Sequence, residues 1–153
     1  MAKTKNSSAA KSSAVALRAW LAVVRAYNEC DAVLTRQLGD SGYSTAQYEV
    51  VTRLHREPGP TQQDLAQRCF VAKSGISMLI QRMEADGWVV RSADALDARV
   101  KRLVLTPDGR QHAKRMLQIQ TEVVGAMAST LTDAQLLELV EMMGNVSNSL
   151  RGL

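Results

Sequence analysis

Two cysteines in 153 residues are too few for a disulfide framework. Cys30 and Cys69 read instead as small buried hydrophobes, the usage expected in a reducing compartment. Nine glycines and three prolines exclude a collagen-like chain. The two histidines, His55 and His112, stand in no metal-ligand pattern. There is no glycine-rich phosphate loop and no nucleophile elbow. No metal, no cofactor and no catalytic residues are therefore expected, and the chain is not expected to be an enzyme. No apolar run reaches about 18 residues, so neither a transmembrane helix nor a membrane partner is expected. The opening MAKTKNSSAAKSSA lacks the apolar stretch of a secretory signal, which points to a cytoplasmic protein. Aromatic residues number only six.

What is present is enough apolar material for one core, 46% of residues, and a lopsided charge. Residues 1–115 carry 18 Lys and Arg against 11 Asp and Glu, whereas residues 116–153 carry one against four. A basic body with an acidic tail suggests a polyanionic partner for the body, although a solvated basic face would carry the same charge.

Residues 1–13 have no apolar period and read as a flexible basic arm; residues 14–153 read as a single domain. From 14 to 38, Leu17, Trp20, Leu21, Val24, Tyr27, Leu34 and Leu38 recur at helical spacing, and Gly39 to Gly42 end that helix. Ser44 or Thr45 can cap a second helix carrying Tyr48, Val51 and Leu54, which stops before Pro58-Gly59-Pro60. Thr61 and Asp64 resemble a capping box for a short third helix, with Leu65, Ala66 and Cys69 facing inward. A fourth helix over 73–86 turns Ile76, Leu79, Ile80 and Met83 inward and ends at Gly87. The period then changes. Trp88–Arg91 and Val100–Leu105 predict two strands around a polar tip, Ser92 to Arg99. Thr106-Pro107 opens a fifth helix running to about 130. Thr132 and Gln135 box the start of a sixth, whose stripe is Leu136, Leu139, Val140, Met143, Val146 and Leu150.

The order of a short helix, a break, a helix and then a hairpin predicts a helix-turn-helix with a wing, in a mainly α (α+β) fold. The fourth helix would enter a major groove and the hairpin tip would reach the adjacent minor groove or backbone.

The stretch STAQYEVVTRLHREPGPTQQDLAQRCFVAKSGISMLIQRMEADGWVVRSADALDARVKRLVLTPDGR, residues 44–110, resembles the winged helix-turn-helix core of the MarR family of bacterial transcription regulators. Its most specific pieces are RMEADGWVVR, the tip with Asp94, Asp97 and Arg99, and LTPDGR. The resemblance implies a DNA-binding lobe over 44–106, with 14–38 and 107–150 as N- and C-terminal dimerisation helices that interlock in a homodimer. It also implies a pseudo-palindromic operator on double-stranded DNA, a nucleoid-associated location, and repression relieved by a small aromatic or phenolic anion.

The DNA-facing residues expected on the fourth helix are Lys73, Ser74, Gly75, Ser77, Met78, Gln81 and Arg82. Ser and Gln can bond base edges and phosphates, and Arg can fork onto guanine or phosphate. The family pattern has Ser where Ala72 stands as helix cap, Thr at Gly75 and Arg at Met78; Met can pack on a thymine methyl but cannot hydrogen-bond a base. At the tip, Asp97 is expected to hold Arg99 for insertion in a narrow minor groove, with Ala98 replacing the family's middle Arg. Lys101 and Arg102 can take phosphates. Arg18, Trp20, Arg25 and Tyr27 on the first helix, with Tyr48 and His55 on the second, could line an effector site, Arg clamping a carboxylate and the rings stacking. Trp20 and Tyr27 suit a dimer core equally well, with the arginines snorkelling. The alternatives are a thiol-based redox sensor and a non-specific, nucleoid-like DNA binder. The place of the reactive Cys in the family's hydroperoxide sensors is held by Trp20, and Cys30 lies between Glu29 and Asp31, whose charge disfavours a thiolate.

Overall fold

The computed structural model describes residues 3–69, 73–97 and 99–152, with side chains from residue 13 onward except those of Lys73 and Ser74. Six helices and one hairpin follow in the order α1 (Lys3–Asp40), α2 (Thr45–Arg56), α3 (Gln62–Arg68), α4 (Lys73–Ala85), β1 (Val89–Ala93), β2 (Lys101–Leu105), α5 (Pro107–Ala128) and α6 (Asp133–Leu150). This is the expected mainly helical winged helix-turn-helix between long terminal helices.

The first departure is at the N-terminus. α1 begins at Lys3 rather than near residue 14, so the expected arm over 1–13 lies mostly within the helix. The reason is compositional: no glycine or proline interrupts residues 1–38, and alanines at 2, 9, 10, 14 and 16 favour continuing the helix. It ends where Gly42 adopts φ +80° and the Tyr43 N–H donates to the Leu38 carbonyl at 2.8 Å.

Capping sets most other boundaries. Ser44 with Gln47, Thr61 with Asp64, and Thr132 with Gln135 each form a reciprocal capping box. Thr106 caps α5 through its hydroxyl and the Gly109 amide, with Pro107 in the first turn. The hairpin is antiparallel in the register Val89↔Leu105 to Ala93↔Lys101, so Ser92 and Ala93, expected at the tip, are strand. The Pro58–Pro60 loop borders β2: the Gly59 amide donates to the Leu103 carbonyl at 3.1 Å and the Leu103 amide to the Pro60 carbonyl at 2.9 Å.

The core sits beneath the wing. Val50, Val51 and Leu54 of α2, Leu65 of α3, Ile76, Ile80 and Met83 of α4, Val89, Leu103 and Leu105 of the strands, and Ala113 and Met116 of α5 pack together with Leu38 and Tyr43. Leu79, Ala66 and Cys69 are half-buried against this cluster. Beyond Leu34 and Leu38, the apolar residues of α1 remain outside it. Trp20 is 61% exposed and Tyr27 66%. No residue of α6 is buried. Among the described residues, no single helix is long and apolar enough to cross a membrane.

Candidate nucleic-acid interface

α4 is held from below and open above. Ile76, Ile80 and Met83 are fully buried, and their helical spacing turns Met78, Gln81 and Arg82 to solvent. Met78, a large apolar side chain, is 73% exposed. Ser77 and Gly75 are half-buried on the flank. The backbones of Lys73 and Ser74 form the first turn of α4. The expected cap at Ala72 lies outside the described residues, as does the tip residue Ala98.

Two arginine struts fix the hairpin against the helices. Arg91 of β1 donates through Nε to both carboxylate oxygens of Glu84 on α4, at 2.9 and 3.1 Å, and through Nη2 to Gln62 of α3 at 3.1 Å. Arg102 of β2 donates through Nε to Asp94 at 2.6 Å and through Nη1 to the Gly59 carbonyl at 3.1 Å. Arg102, expected to take a phosphate, is thus occupied in tying the wing to the loop before α3. Neither strut is legible in the sequence. Both join residues seven or more apart whose meeting depends on how the hairpin returns.

Within the tip, Asp94 does more than its place in the motif suggests. Its Oδ1 accepts the amides of Leu96 at 2.8 Å and Asp97 at 3.2 Å, while Oδ2 accepts Arg102. The Leu96 amide, the Arg102 guanidinium and the Asp97 amide together hold the Asp94 carboxyl below the usual carboxylate range. Asp97 does not grip the Arg99 guanidinium among the described contacts. Its Oδ1 accepts the Arg99 backbone amide at 2.9 Å. A carboxylate two residues upstream meets that amide without ordering a long side chain, the geometry of an Asx turn. Asp97 therefore shapes the loop rather than aiming the Arg99 side chain. Arg99 and Lys101 are exposed.

Behind the lobe, the carbonyl of Trp88 and the start of α5 are in intimate contact. The Thr106 hydroxyl donates to the Gly87 carbonyl at 2.7 Å and the Thr106 amide to the Trp88 carbonyl at 3.0 Å. Gly109 is required there, because a Cβ would lie 2.0 Å from the Trp88 carbonyl oxygen. The Trp88 indole stacks on His112 with centroids 4.0 Å apart, and His112 Nδ1 shares a 3.0 Å hydrogen bond with the Tyr43 hydroxyl. His112 joins the lobe to α5, a role that a lone histidine in the sequence does not reveal.

Among the described residues, the six expected effector residues do not line one shared pocket. Tyr48 lines a pocket of about 250 Å³ with Glu49, Thr52, Arg53, Arg56, Arg68 and Cys69. Arg25 borders a shallow hollow on α1, and Tyr27 a groove between α1 and α5 that also holds Cys30. Arg18, Trp20 and His55 line none of these. Four of these residues share α1, but helical spacing puts Arg18 and Arg25 nearly opposite Trp20 and Tyr27, and at about 1.5 Å rise per residue Arg18 lies roughly 30 Å along α1 from Leu38, where α1 meets α2. Burial, followed by the charge of Glu49, pushes the Cys69 thiol up from its ordinary value, with Arg53 opposing. Among the described residues, no group of three or more His, Cys, Asp or Glu could hold a metal ion.

The same arrangement occurs in known proteins. The family model described as MarR family matches residues 41–100. An HTH-type transcriptional regulator of Bacillus cereus is 30% identical over 101 residues, covering 66% of this chain and 67% of that protein. Among solved structures, a MarR transcriptional regulator from Methanosarcina mazei Go1 superposes with a TM-score of 0.70 at 25% identity, over 86% of this chain and 96% of that one. BpsR of Bordetella bronchiseptica, whose DNA binding is regulated by 6-hydroxynicotinic acid, superposes with a TM-score of 0.67 at 23% identity, over 82% and 89%.

Proposed function

The chain belongs to the MarR family of transcriptional regulators, and from that membership we propose that it is a cytoplasmic, nucleoid-associated homodimeric repressor that binds a pseudo-palindromic operator and is released by a small aromatic or phenolic anion. The observation that carries the reading is the division of α4 into a fully buried face, Ile76, Ile80 and Met83, and a solvent face, Met78, Gln81 and Arg82. A rigidly seated helix with an unoccupied polar and apolar face suits a major groove. Lys73, Ser74, Gly75, Ser77, Met78, Gln81 and Arg82 would read bases and phosphates, Met78 packing on a thymine methyl. Arg99 and Lys101 would meet the neighbouring groove and backbone, in a loop shaped by Asp94 and Asp97.

Dimer formation is supported by what the single chain leaves uncovered. Val15, Leu17, Trp20, Leu21 and Val23 of α1 and Leu137, Val140, Met142, Val146 and Leu150 of α6 are exposed, although α5 packs against part of α1. A patch of that extent marks an association surface. A two-fold dimer then presents two α4 helices to half-sites about 10 base pairs apart. Arg18, Trp20, Arg25 and Tyr27 would contribute to an effector site completed by the second copy, with Tyr48 and His55 on the lobe. The regulation of BpsR by an aromatic acid supports that class of ligand. A thiol switch at Cys69 is disfavoured by its raised thiol.

Competition binding tests the function. One pseudo-palindromic site should be preferred over bulk DNA by about 10³ or more. Inserting five base pairs between half-sites turns one to the opposite face and should abolish tight binding. Equal affinity for operator, insert and bulk DNA would replace this reading with that of a non-specific DNA binder.

A further inference from the structure

Leu96, at the apex of the wing, is 98% exposed, more than any other large apolar side chain among the described residues. The loop that carries it is closed by hydrogen bonds. The Asp94 amide donates to the Val100 carbonyl at 3.0 Å and the Val100 amide to the Asp97 carbonyl at 2.9 Å. Asp94 Oδ1 accepts the Leu96 and Asp97 amides at 2.8 and 3.2 Å, and Asp97 Oδ1 accepts the Arg99 amide at 2.9 Å. Arg102 ties the other Asp94 oxygen, and with it the tip, to the Gly59 carbonyl before α3. Both carboxylates of the tip are thus engaged by the loop's own amides, while the large side chain held out at the apex is a leucine. At that exposure it contributes no burial to the fold of its own chain.

We propose that Leu96 is a specificity-determining apolar wedge, which packs into the minor groove beside the α4 contact and selects A·T over G·C pairs there. The proposal rests on the reading of the chain as a sequence-specific DNA-binding regulator. Dimensions favour a side chain over the strands themselves. Paired strands lie about 4.8 Å apart, so the hairpin with its atomic envelope is too broad for a minor groove about 6 Å wide. Only side chains at its apex reach the floor, and apolar side chains serve as wedges in that groove. Selection follows from the base edges. An A·T pair presents only acceptors in the minor groove, whereas G·C adds the guanine 2-amino donor. A leucine cannot accept a hydrogen bond, so covering that amino group buries a donor without a partner. Arg99, three residues further on, supplies the positive charge that a narrow groove attracts. Charge and edge shape are then read by different residues of one loop.

The test uses the full chain and a duplex that the wild type selects from a random library, with hydroxyl-radical protection marking the pairs under each wing. Those pairs are made A·T, G·C or inosine·C, the last keeping the G·C major groove without the 2-amino group. The wild type should bind the A·T and inosine·C duplexes alike and the G·C duplex about tenfold more weakly. Leu96→Ala removes the side chain but keeps every charge and the amide bonded to Asp94. It should weaken binding to the A·T duplex about tenfold and lose most of the discrimination against G·C. Its melting transition and its slope of log K against log salt should be those of the wild type, because no phosphate contact is lost. Leu96→Met, of similar volume, should restore both affinity and discrimination. Equal affinity of wild type and Leu96→Ala, an equal loss on all three duplexes, or a slope flattened by Leu96→Ala overturns the wedge. A wild type weakened as much by inosine·C as by G·C also overturns it, by placing the selection in the major groove. A library that yields no duplex preferred over bulk DNA overturns the regulator reading alone. Wild type and Leu96→Ala compared on plain A·T, inosine·C and G·C duplexes then decide the wedge.

Discussion

Replacing Gly109 by alanine tests whether the wing and α5 form one rigid body. An alanine Cβ at this third residue of α5 would lie 2.0 Å from the Trp88 carbonyl oxygen and 2.9 Å from its carbonyl carbon, far inside van der Waals contact, and both are backbone atoms that cannot rotate away. α5 must lift. Lifting it strains the Thr106 cap on the Gly109 amide, worth about 1 kcal/mol. It also separates Trp88 from His112, a stack worth about 0.5–1.5 kcal/mol. Overpacking of this kind costs about 1–3 kcal/mol in all. Against that stands a gain of up to about 1 kcal/mol from replacing a helical glycine by alanine. The net expectation is a loss of about 1–2 kcal/mol, a fall in Tm of roughly 2–8 °C at about 2–4 °C per kcal/mol. Gly39→Ala is the control, because Gly39 is exposed in the last turn of α1 and a Cβ added there would have nothing within 4 Å, so a small gain is expected. Urea unfolding followed by circular dichroism measures both. If Gly109→Ala is as stable as the wild type, the contact between Trp88 and α5 is not the close one described, and the junction is loose.

Arg99→Ala should weaken operator binding by about 1–3 kcal/mol and flatten the plot of log K against log salt by close to 2 for a dimer, at about 0.9 per lost phosphate contact; a salt titration with wild-type affinity and slope would remove the wing from the interface. Asp94→Asn should loosen the tip through loss of its charge on Arg102. Because the Asp94 carboxyl is held below its ordinary value, its contribution to stability is present above the unfolded carboxylate value near 3.9 and is lost as pH falls through its folded value. The Tm difference between wild type and Asp94→Asn should therefore be steady at neutral pH and shrink below about pH 4, and a difference that grows on acidification would contradict the assigned bonds. Sedimentation at micromolar concentration should give twice the 16.7 kDa chain mass, and Val140→Glu, on the exposed face of α6, should shift it toward the monomer; a folded wild-type monomer would contradict the dimer.

Local chemistry makes much of this chain legible. Apolar spacing and the pairs Thr61 with Asp64 and Thr132 with Gln135 mark helices before any packing is known, because a cap satisfies amides within three residues of itself. The change from helical to alternating period marks the hairpin, since strand side chains repeat every two residues. The buried set Ile76, Ile80 and Met83 follows from the same spacing, and with it the outward Met78, Gln81 and Arg82. The start of α1 is not legible in this way, because a polar stretch with no apolar period gives no signal of helix, even where nothing in it forbids one.

Tertiary structure decides how the charged side chains are used. Arg99 and Arg102 look alike in sequence, three residues apart at the wing. Only the return of β2 past Asp94 and Gly59 commits Arg102 to a strut and leaves Arg99 exposed. Asp97 and Asp94 are likewise indistinguishable as letters. Their oxygens differ in which amides come within 3.2 Å once the loop closes. Arg53, Arg56 and Arg68 lie on two helices separated by a proline-bounded loop, so no period links them, and they line one pocket only once the chain has folded. Periodicity and capping are short-range and survive in the letters; the partner of a long charged side chain depends on distances that chain crossings set, and those exist only in the folded molecule.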